Sequence, residues 1–143
     1  MVPKAAIFKA VTRFHRVVFD LSKGKVLGKV GGMPVVELTT VGRKSGKQRS
    51  TMLTSPLVEG DNVMLVASYG GDDRDPAWFS NLVAHPDVDV VMSGSRRQMH
   101  ARVAQGDERT RMWEALTAKH ANYAGYQRKT SRQIPVVVLE PRP

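Results

Sequence analysis

The amino-acid sequence predicts a mostly β protein, an antiparallel barrel that is closed or nearly closed and carries peripheral helices. Six short runs bounded by turn residues predict strands, whereas only three stretches show helical periodicity. So few helices cannot supply the crossover connections that a parallel sheet requires. Closure into a barrel removes the exposed edges of an antiparallel sheet, which makes it the economical arrangement.

A length of 143 residues without cysteine fits one intracellular domain. We predict a basic N-terminal helix with a connection over residues 1–33, and the barrel domain over residues 34–143. The lack of cysteine excludes a disulfide scaffold and a thiolate metal site. No apolar run approaches the roughly 20 residues that span a bilayer, so a cytoplasmic protein is expected.

Residues 3–21 predict a basic amphipathic helix. Its apolar positions recur every three or four residues, at Ile7, Val11, Phe14, Val18 and Leu21. Two roles stay open: packing on the domain, or a functional role in covering a ligand site or resting on the anionic inner face of the plasma membrane. Membrane contact would appear as liposome co-sedimentation that falls when residues 1–20 are deleted. The glycine- and lysine-rich residues 23–32 predict a flexible connection.

The middle of the chain predicts three successive strands. Residues 35–40 and 48–58 form the first two, joined by a strongly basic loop. Residues 59–62 supply turn chemistry before the third strand, residues 63–68.

A short helix and a hairpin follow. Residues 75–84 predict the helix, with Asp75 as its capping residue and Pro76 at its first position. Residues 88–92 and 98–104 predict the hairpin, because apolar and polar side chains alternate in the second of these strands.

A last helix and a last strand complete the predicted elements. Asp107 is expected to cap a helix that runs to about His120, with Met112 and Leu116 facing inward. Residues 135–139 predict the apolar strand that ends the barrel.

Residues 42–49, called the basic loop below, are the most informative segment for function. They contain two glycines, no acid, and the donors Arg43, Lys44, Ser45, Lys47 and Arg49. The net charge of +9 lies in this loop and in residues 1–30, since the rest of the chain sums to −1. Such a loop suits an anion with several negative groups, although a solvated basic hairpin has the same composition.

Other motifs exclude several function classes. The basic loop is no nucleotide-binding P-loop, because Gln48 stands at the magnesium-binding position and a strand follows it. The four histidines share no ligand spacing, so no metal site is expected. The charge is too localised for a nucleic-acid binder. The aromatic pairs Trp78–Phe79 and Tyr123–Tyr126 suit either the core or a flat ligand.

The order of the motifs resembles that of the deazaflavin-dependent nitroreductases of actinobacteria, reductases that use the coenzyme F420H2. The resemblance covers about three quarters of the chain. The segments that carry it are residues 38–49 (LTTVGRKSGKQR), 66–71 (VASYGG), 75–82 (DPAWFSNL), 85–86 (HP), 123–126 (YAGY) and 134–141 (IPVVVLEP).

The resemblance implies a split β-barrel of the flavin-reductase-like, FMN-binding type. It also implies coenzyme F420, an 8-hydroxy-5-deazaflavin with a phosphodiester and a polyglutamate tail. By motif position, the residues implied to bind the phosphate and tail of the coenzyme are Arg43, Lys44, Ser45 and Arg49. The residues implied to line the pocket of the ring and ribityl chain are Thr51, Met52, Thr54, Val66, Ala67, Ser68, Tyr69, Trp78 and Asn81. The substrate side and the candidate proton donors are Ser68, Tyr123 and Tyr126.

The implied activity is hydride transfer from the reduced deazaflavin to a small electrophilic acceptor by a monomer or weak dimer. Quinones, α,β-unsaturated carbonyls or lactones, and nitroaromatics are the implied acceptors. An FMN-binding split barrel and a non-catalytic anion-binding module are the alternatives. Tyr69 replaces a lysine of some relatives and Thr54 an aromatic of one, which concerns substrate preference more than coenzyme identity.

Overall fold

The computed structural model describes residues 29, 30 and 32–143, and this part of the chain contains eight strands and three α-helices. The strands are β1 (Lys29–Val30), β2 (Met33–Val41), β3 (Gln48–Thr54), β4 (Leu57–Glu59), β5 (Asn62–Val66), β6 (Asp87–Met92), β7 (Ser95–Val103) and β8 (Val136–Pro141). The helices are α1 (Ala77–Ala84), α2 (Gly106–Lys119) and α3 (Asn122–Arg128).

All strand pairs are antiparallel, in the order β1-β2-β6-β7-β8-β5-β4, with β3 on β2. The central residues of β2 pair with both β3 and β6, so these two strands lie on opposite edges of β2. Among the described strands, β3 pairs only with β2 and β4 only with β5. The sheet therefore curls without closing between β3 and β4, and the expected split β-barrel is confirmed.

The prediction of one strand over residues 48–58 is wrong, because Ser55 and Pro56 divide it into β3 and β4. The Ser55 hydroxyl is buried and donates to the carbonyl oxygen of Met64 at 2.6 Å. Its backbone N–H donates to the carbonyl oxygen of Pro34 at 3.0 Å. Pro56 has no N–H for a ladder, so the chain turns here from one edge of the sheet to the other.

The sheet separates two apolar layers, since side chains alternate along each strand. The barrel interior is filled by one buried cluster that includes Leu38, Leu65, Leu82, Val90, Met99 and Leu139. A second cluster lies on the outer side of β5 and β8 beneath α2 and α3, and includes Met64, Val66, Met112, Leu116, Tyr123 and Val138. Helix α3 thus belongs to the outer layer, whereas α1 contributes Trp78 and Leu82 to the interior.

The hairpin of β6 and β7 confirms the predicted alternation, since Met99 and Ala101 are buried and His100 is exposed. Its two-residue turn has positive φ at Ser93 (53°) and Gly94 (77°). Positive φ at both central residues is typical of a type I′ turn, whose twist matches that of the paired strands.

Both predicted helix caps are wrong. Pro76 itself occupies the N-cap position of α1, and Asp75 forms an ion pair with Arg132 at 3.1 Å. Gln105 is the N-cap residue of α2, and Asp107 lies in the first turn without a capping hydrogen bond. The negative charge of Asp107 still interacts favourably with the positive end of the helix dipole. Helix α3 was not predicted at all, because seven residues with a central glycine show too little periodicity.

The predicted amphipathic helix of residues 3–21 lies outside the described residues, and its membrane contact stays a prediction. Residues 23–32 are not a flexible connection throughout, since Lys29 and Val30 pair with Pro34 and Met33. Within the described residues, no helix combines the length and the hydropathy needed to cross a bilayer.

Candidate functional site

The basic loop is a tight turn between β2 and β3. The Gly42 N–H donates to the carbonyl oxygen of Lys47 at 2.8 Å, and the Gly46 N–H donates to that of Gly42 at 2.9 Å. The Ser45 hydroxyl accepts the N–H of Lys47 at 3.1 Å. A Cβ on Gly42 would stand 2.6 Å from the Ser45 oxygen, and Gly46 has a φ of +70°. The two glycines therefore permit a fold that other residues would strain.

The cations of this loop point into solvent. The side chains of Arg43, Lys44, Lys47 and Arg49 are exposed. Within the described residues none of the four forms an ion pair with a carboxylate. Five of the nine other arginines of the described chain, Arg102 and Arg111 among them, do have carboxylate partners. The loop thus concentrates uncompensated positive charge on one rigid turn, as an anion site requires.

Asn81 of helix α1 anchors this turn. Its side-chain oxygen accepts the backbone N–H of Arg43 at 3.1 Å and the guanidinium Nη1 at 3.3 Å. Its amide nitrogen donates to the Thr40 hydroxyl at 3.3 Å. Both ends of this amide, which is 5% exposed, are therefore engaged within the protein. The structure gives Asn81 a clear role in positioning the loop.

A second turn lies where β5 ends. Ser68 has αR geometry, and the next three residues have positive φ: 47° at Tyr69, 66° at Gly70 and 83° at Gly71. An αR residue followed by an αL residue turns successive backbone N–H groups toward one side, a shape that suits anionic or polar ligand atoms. The positive φ of Tyr69 is unfavourable, because Tyr69 is the one residue of these three that has a Cβ.

Helix α3 fixes the second turn by direct backbone contact. A Cβ on Gly71 would stand 2.9 Å from the carbonyl oxygen of Tyr126 and 3.0 Å from the Cβ of Lys129. The segment that carries Ser68 and Tyr69 is therefore seated against the helix that carries Tyr123 and Tyr126. The structure brings these two groups of predicted site residues together.

The predicted ring-binding residues divide between the two faces of their strands. Thr51 lies opposite Leu38 on the interior side of β3. Met52 packs with Val35 on the opposite face of β3, and Thr54, two residues further along the strand, lies on the same face as Met52. One flat ring therefore cannot take side-chain contacts from all of residues 51, 52 and 54, although the free edge of β3 presents the backbone of all three.

The same division separates Val66 from Ala67. Val66 belongs to the outer cluster with Tyr123, and Ala67 belongs to the interior cluster with Trp78. Trp78 is 8% exposed and meets Phe79 edge to face, with ring centroids 6.4 Å apart. Its indole is mainly a core group of the barrel.

Tyr123, Tyr126 and Thr54 form one side of the site. The two tyrosine rings meet edge to face with centroids 6.0 Å apart. The Tyr123 hydroxyl donates to Met33 Sδ at 3.5 Å and lies near the Thr54 side chain. Burial raises the pKa of Tyr123 above its usual value near 10, and the contact with Thr54 opposes that shift. Tyr123 is therefore a neutral phenol at physiological pH.

A family model for F420H(2)-dependent quinone reductase matches residues 11–141 of the chain. The chain belongs to this family. The F420H(2)-dependent quinone reductase Rv1261c of Mycobacterium tuberculosis is 37% identical over 134 residues, which are 91% of this chain and 89% of the relative. The similarity therefore extends over almost the whole length of both chains.

Two solved structures are similar to this member of the quinone reductase family. One is an F420-H2 dependent reductase, FDR-A, with 39% identity, a TM-score of 0.67, and coverage of 75% of this chain and 94% of that chain. The other is a domain-swapped dimer with 33% identity, a TM-score of 0.68, and coverage of 90% and 100%. The expectation that this chain is a monomer or weak dimer stays a prediction.

Membership of this family confirms the coenzyme and the reaction class. The family is named for reduced F420 and for quinone reduction, so it is an oxidoreductase family that uses F420, and the FMN alternative is set aside. The relative named above is mycobacterial, in line with the resemblance to actinobacterial reductases.

Arg132 is a residue beside the candidate site whose contacts the sequence did not reveal. Its guanidinium donates to backbone carbonyl oxygens of the second turn, at Ala67, Ser68 and Asp72. A single arginine between two motifs carries no periodicity and no ligand spacing. Its role depends on carbonyls that lie 60 or more residues away in sequence.

Proposed function

We propose that this protein reduces quinones with F420H2 and that the basic loop holds the phosphate and glutamate tail of the coenzyme. The observation that carries the proposal is the set of four exposed cations on a turn fixed by Asn81. Arginine forks suit phosphate and carboxylate oxygens, and lysines add mobile charge. Since none of the four has a carboxylate partner in the described chain, the donor set fits a polyanionic tail.

The ring of the coenzyme would lie between the free edge of β3 and the second turn. Backbone groups of residues 51–54 and of residues 66–69 would contact it, with the Thr54 side chain toward Tyr123. This placement is supported by the contacts that join the second turn, Thr54 and helix α3. When bound in its reduced form, F420 supplies a hydride equivalent from C5 of the deazaflavin.

The protein residues would orient the acceptor and handle a proton. Reduction of a quinone to a hydroquinone takes one hydride and one proton, and the oxygen that gains negative charge needs a donor. Tyr126 is the donor best placed by exposure, because it is half-buried, whereas Tyr123 is 6% exposed and its hydroxyl is already engaged. Ser68 is also nearly buried and presents its carbonyl to Arg132.

Fluorescence titration of F420 with purified protein tests the coenzyme site. We expect saturable binding that weakens at least about tenfold in the variant Lys44→Ala/Arg49→Ala. The matched control is Arg96→Ala/Lys119→Ala, which removes two exposed cations elsewhere and should bind like the unmodified protein. Affinity that is unchanged in the first variant, or equally reduced in both, would contradict the assignment of the tail to the basic loop.

A panel of acceptors tests the substrate class. With F420H2 in excess, oxidation of the coenzyme is followed by its absorbance in the presence of a benzoquinone, an unsaturated lactone or a nitroaromatic. We expect the quinone to give the highest kcat/KM. A lactone or nitroaromatic that is turned over faster would contradict quinones as the preferred class while leaving coenzyme binding intact.

A further inference from the structure

Arg132 joins the end of β5 to the residues that precede α1 through its guanidinium. We propose that Arg132 is a positioning residue for the coenzyme: it fixes the backbone of residues 67–75, so that Ser68 and Tyr69 are held ready for the ring and its side chain. The inference rests on the proposed function, because it takes these two residues to belong to the coenzyme site.

The contacts of Arg132 reach both ends of the second turn. Its Nη2 donates to the carbonyl oxygens of Ala67 at 3.1 Å and Ser68 at 3.0 Å. Its Nε donates to the carbonyl oxygen of Asp72 at 2.9 Å, and its Nη1 to the carboxylate of Asp75 at 3.1 Å. The side chain is 16% exposed. One planar fork therefore ties the end of β5 to the residues that precede α1.

The turn needs such a tie because its backbone is strained. Tyr69, Gly70 and Gly71 are three consecutive residues with positive φ. For a residue with a Cβ this conformation is unfavourable, and it persists only where the surroundings determine it. Arg132 bonds carbonyl oxygens on both sides of Tyr69, the strained residue, which is where a restraint on its geometry acts most directly.

Arg132 is itself held by the helix that carries the tyrosines. Gln127 of α3 donates from Nε2 to the carbonyl oxygen of Arg132 at 2.7 Å, and its Oε1 accepts the N–H of Ile134 at 2.9 Å. Both bonds fix the segment between α3 and β8. The positions of Tyr126 and of the second turn are thereby coupled through two side chains, Gln127 and Arg132.

Direct attraction of the anionic coenzyme is the competing role for Arg132. The structure favours positioning, because the guanidinium is mostly buried, four of its hydrogen bonds go to the protein, and Asp75 balances its charge. The two roles predict different behaviour for Arg132→Lys. A lysine keeps the charge but has one nitrogen, which cannot span carbonyls at Ala67 and Asp72 together.

The test is F420 titration of Arg132→Lys and Arg132→Gln at a temperature where circular dichroism shows both to be folded. We expect both variants to bind at least about tenfold more weakly than the unmodified protein. The salt dependence of the dissociation constant should stay unchanged in both, whereas it should decrease in Lys44→Ala/Arg49→Ala, which loses exposed charge. A purely structural role would lower the melting temperature without changing the affinity of the folded protein.

Two control variants separate the contacts. Asp75→Asn removes the counter-ion and leaves the three carbonyl contacts, so its affinity should stay within about twofold of the unmodified value. Arg102→Gln removes another arginine with several partners, Glu108 and Glu140, and should lower stability without affecting affinity. Where an Arg132 variant does not fold, Gln127→Ala takes its place, because it frees the backbone of Arg132 while the guanidinium remains.

The outcomes distinguish this inference from the proposed function. If the unmodified protein does not bind F420, the proposed function fails. If it binds and Arg132→Lys binds equally well while Arg132→Gln binds weakly with a reduced salt dependence, Arg132 acts through its charge and the positioning role is overturned. Unchanged affinity in both folded variants, or in Gln127→Ala where it replaces them, overturns it as well.

Discussion

The side-chain oxygen of Asn81 accepts the backbone N–H of Arg43 at 3.1 Å, which joins helix α1 to the basic loop across 38 residues of sequence. The same amide donates to Thr40 at the end of β2. The basic loop is therefore held at its base by a buried group, although its cations are exposed. Binding a flexible tail to a preformed turn costs less ordering entropy than binding it to a mobile loop.

Replacement of Asn81 should loosen the loop and weaken coenzyme binding. Asn81→Leu leaves the Arg43 N–H and the Thr40 hydroxyl without their partner, which costs about 1–3 kcal/mol of unfolding free energy. We expect F420 affinity to fall by about tenfold. Urea unfolding and fluorescence titration measure the two effects separately.

Thr40→Val is the matched control for this change. It removes only the hydroxyl that receives the amide of Asn81 and leaves the bond to Arg43 in place. Unfolding free energy should fall by about 1–3 kcal/mol, because the buried amide of Asn81 loses its acceptor, and F420 affinity should stay within about twofold. Equal loss of affinity in both variants would show that the bond to Arg43 has no special role.

Gly71 should be the least replaceable residue of the second turn. A Cβ at Gly71 would be 2.9 Å from the carbonyl oxygen of Tyr126, whereas one at Gly70 would meet no atom within 4 Å. Both glycines have positive φ, so both alanine variants lose about 1–2 kcal/mol of unfolding free energy from backbone strain. Gly71→Ala should lose more, because α3 must also move. Denaturant midpoints that are the same for the two variants would contradict close packing of α3 on this turn.

The fold was largely predictable because barrels of this kind are built from local signals. Alternation and turn residues indicated the strands, and the predicted hairpin forms, although its second strand begins at Ser95, three residues before the predicted start. The break at Ser55 and Pro56 shows a limit of strand prediction: Pro56 is a local signal against one continuous strand, but the hydrogen bonds that fix the turn go to Met64 and Pro34 on other strands. Sequence alone indicates Asp75 as a cap, because its competing partner, Arg132, lies 57 residues further along.

The site was predictable in its parts but not in its internal connections. The basic loop stands out by charge alone. That Asn81 fixes this loop, and that the Thr51 side of β3 is the one facing the barrel interior, depends on how the strands and α1 pack. A motif identifies residues that lie near a ligand, yet it does not say which of them contact it and which hold their neighbours in place.

Acid should destabilise the protein through the carboxylates that pair with arginine. Hydrogen bonds from Arg102 lower the pKa of Glu108, with burial opposing the shift, and Arg111 does the same for Glu59. A carboxyl whose pKa is lower in the folded state stabilises the protein fully at pH values above its unfolded-state pKa, near 4.5. This stabilisation is lost as the pH falls through the folded-state pKa.

Glu108→Gln tests this pH dependence. Both side chains of the pair are more than a third exposed, so at pH 7 we expect a loss of only about 0.2–1 kcal/mol of unfolding free energy. The difference from the unmodified protein should vanish below the folded-state pKa, where Glu108 is protonated in both states. Urea unfolding at neutral and at acidic pH measures it, and a difference that persists in acid would exclude the ion pair as its cause.

Tyr123 should act in packing and Tyr126 in catalysis, although both stand in the same motif. The Tyr123 hydroxyl is buried against Met33 and Thr54, and burial raises its pKa, so it does not ionise in the working range of pH. Tyr123→Phe should lose about 0.5–1.5 kcal/mol of unfolding free energy and change kcat little. Tyr126→Phe should lower kcat for quinone reduction by about tenfold or more, with little loss of stability. Steady-state kinetics with F420H2 and urea unfolding of the two variants measure both quantities, and a larger fall in kcat for Tyr123→Phe would reverse the two roles.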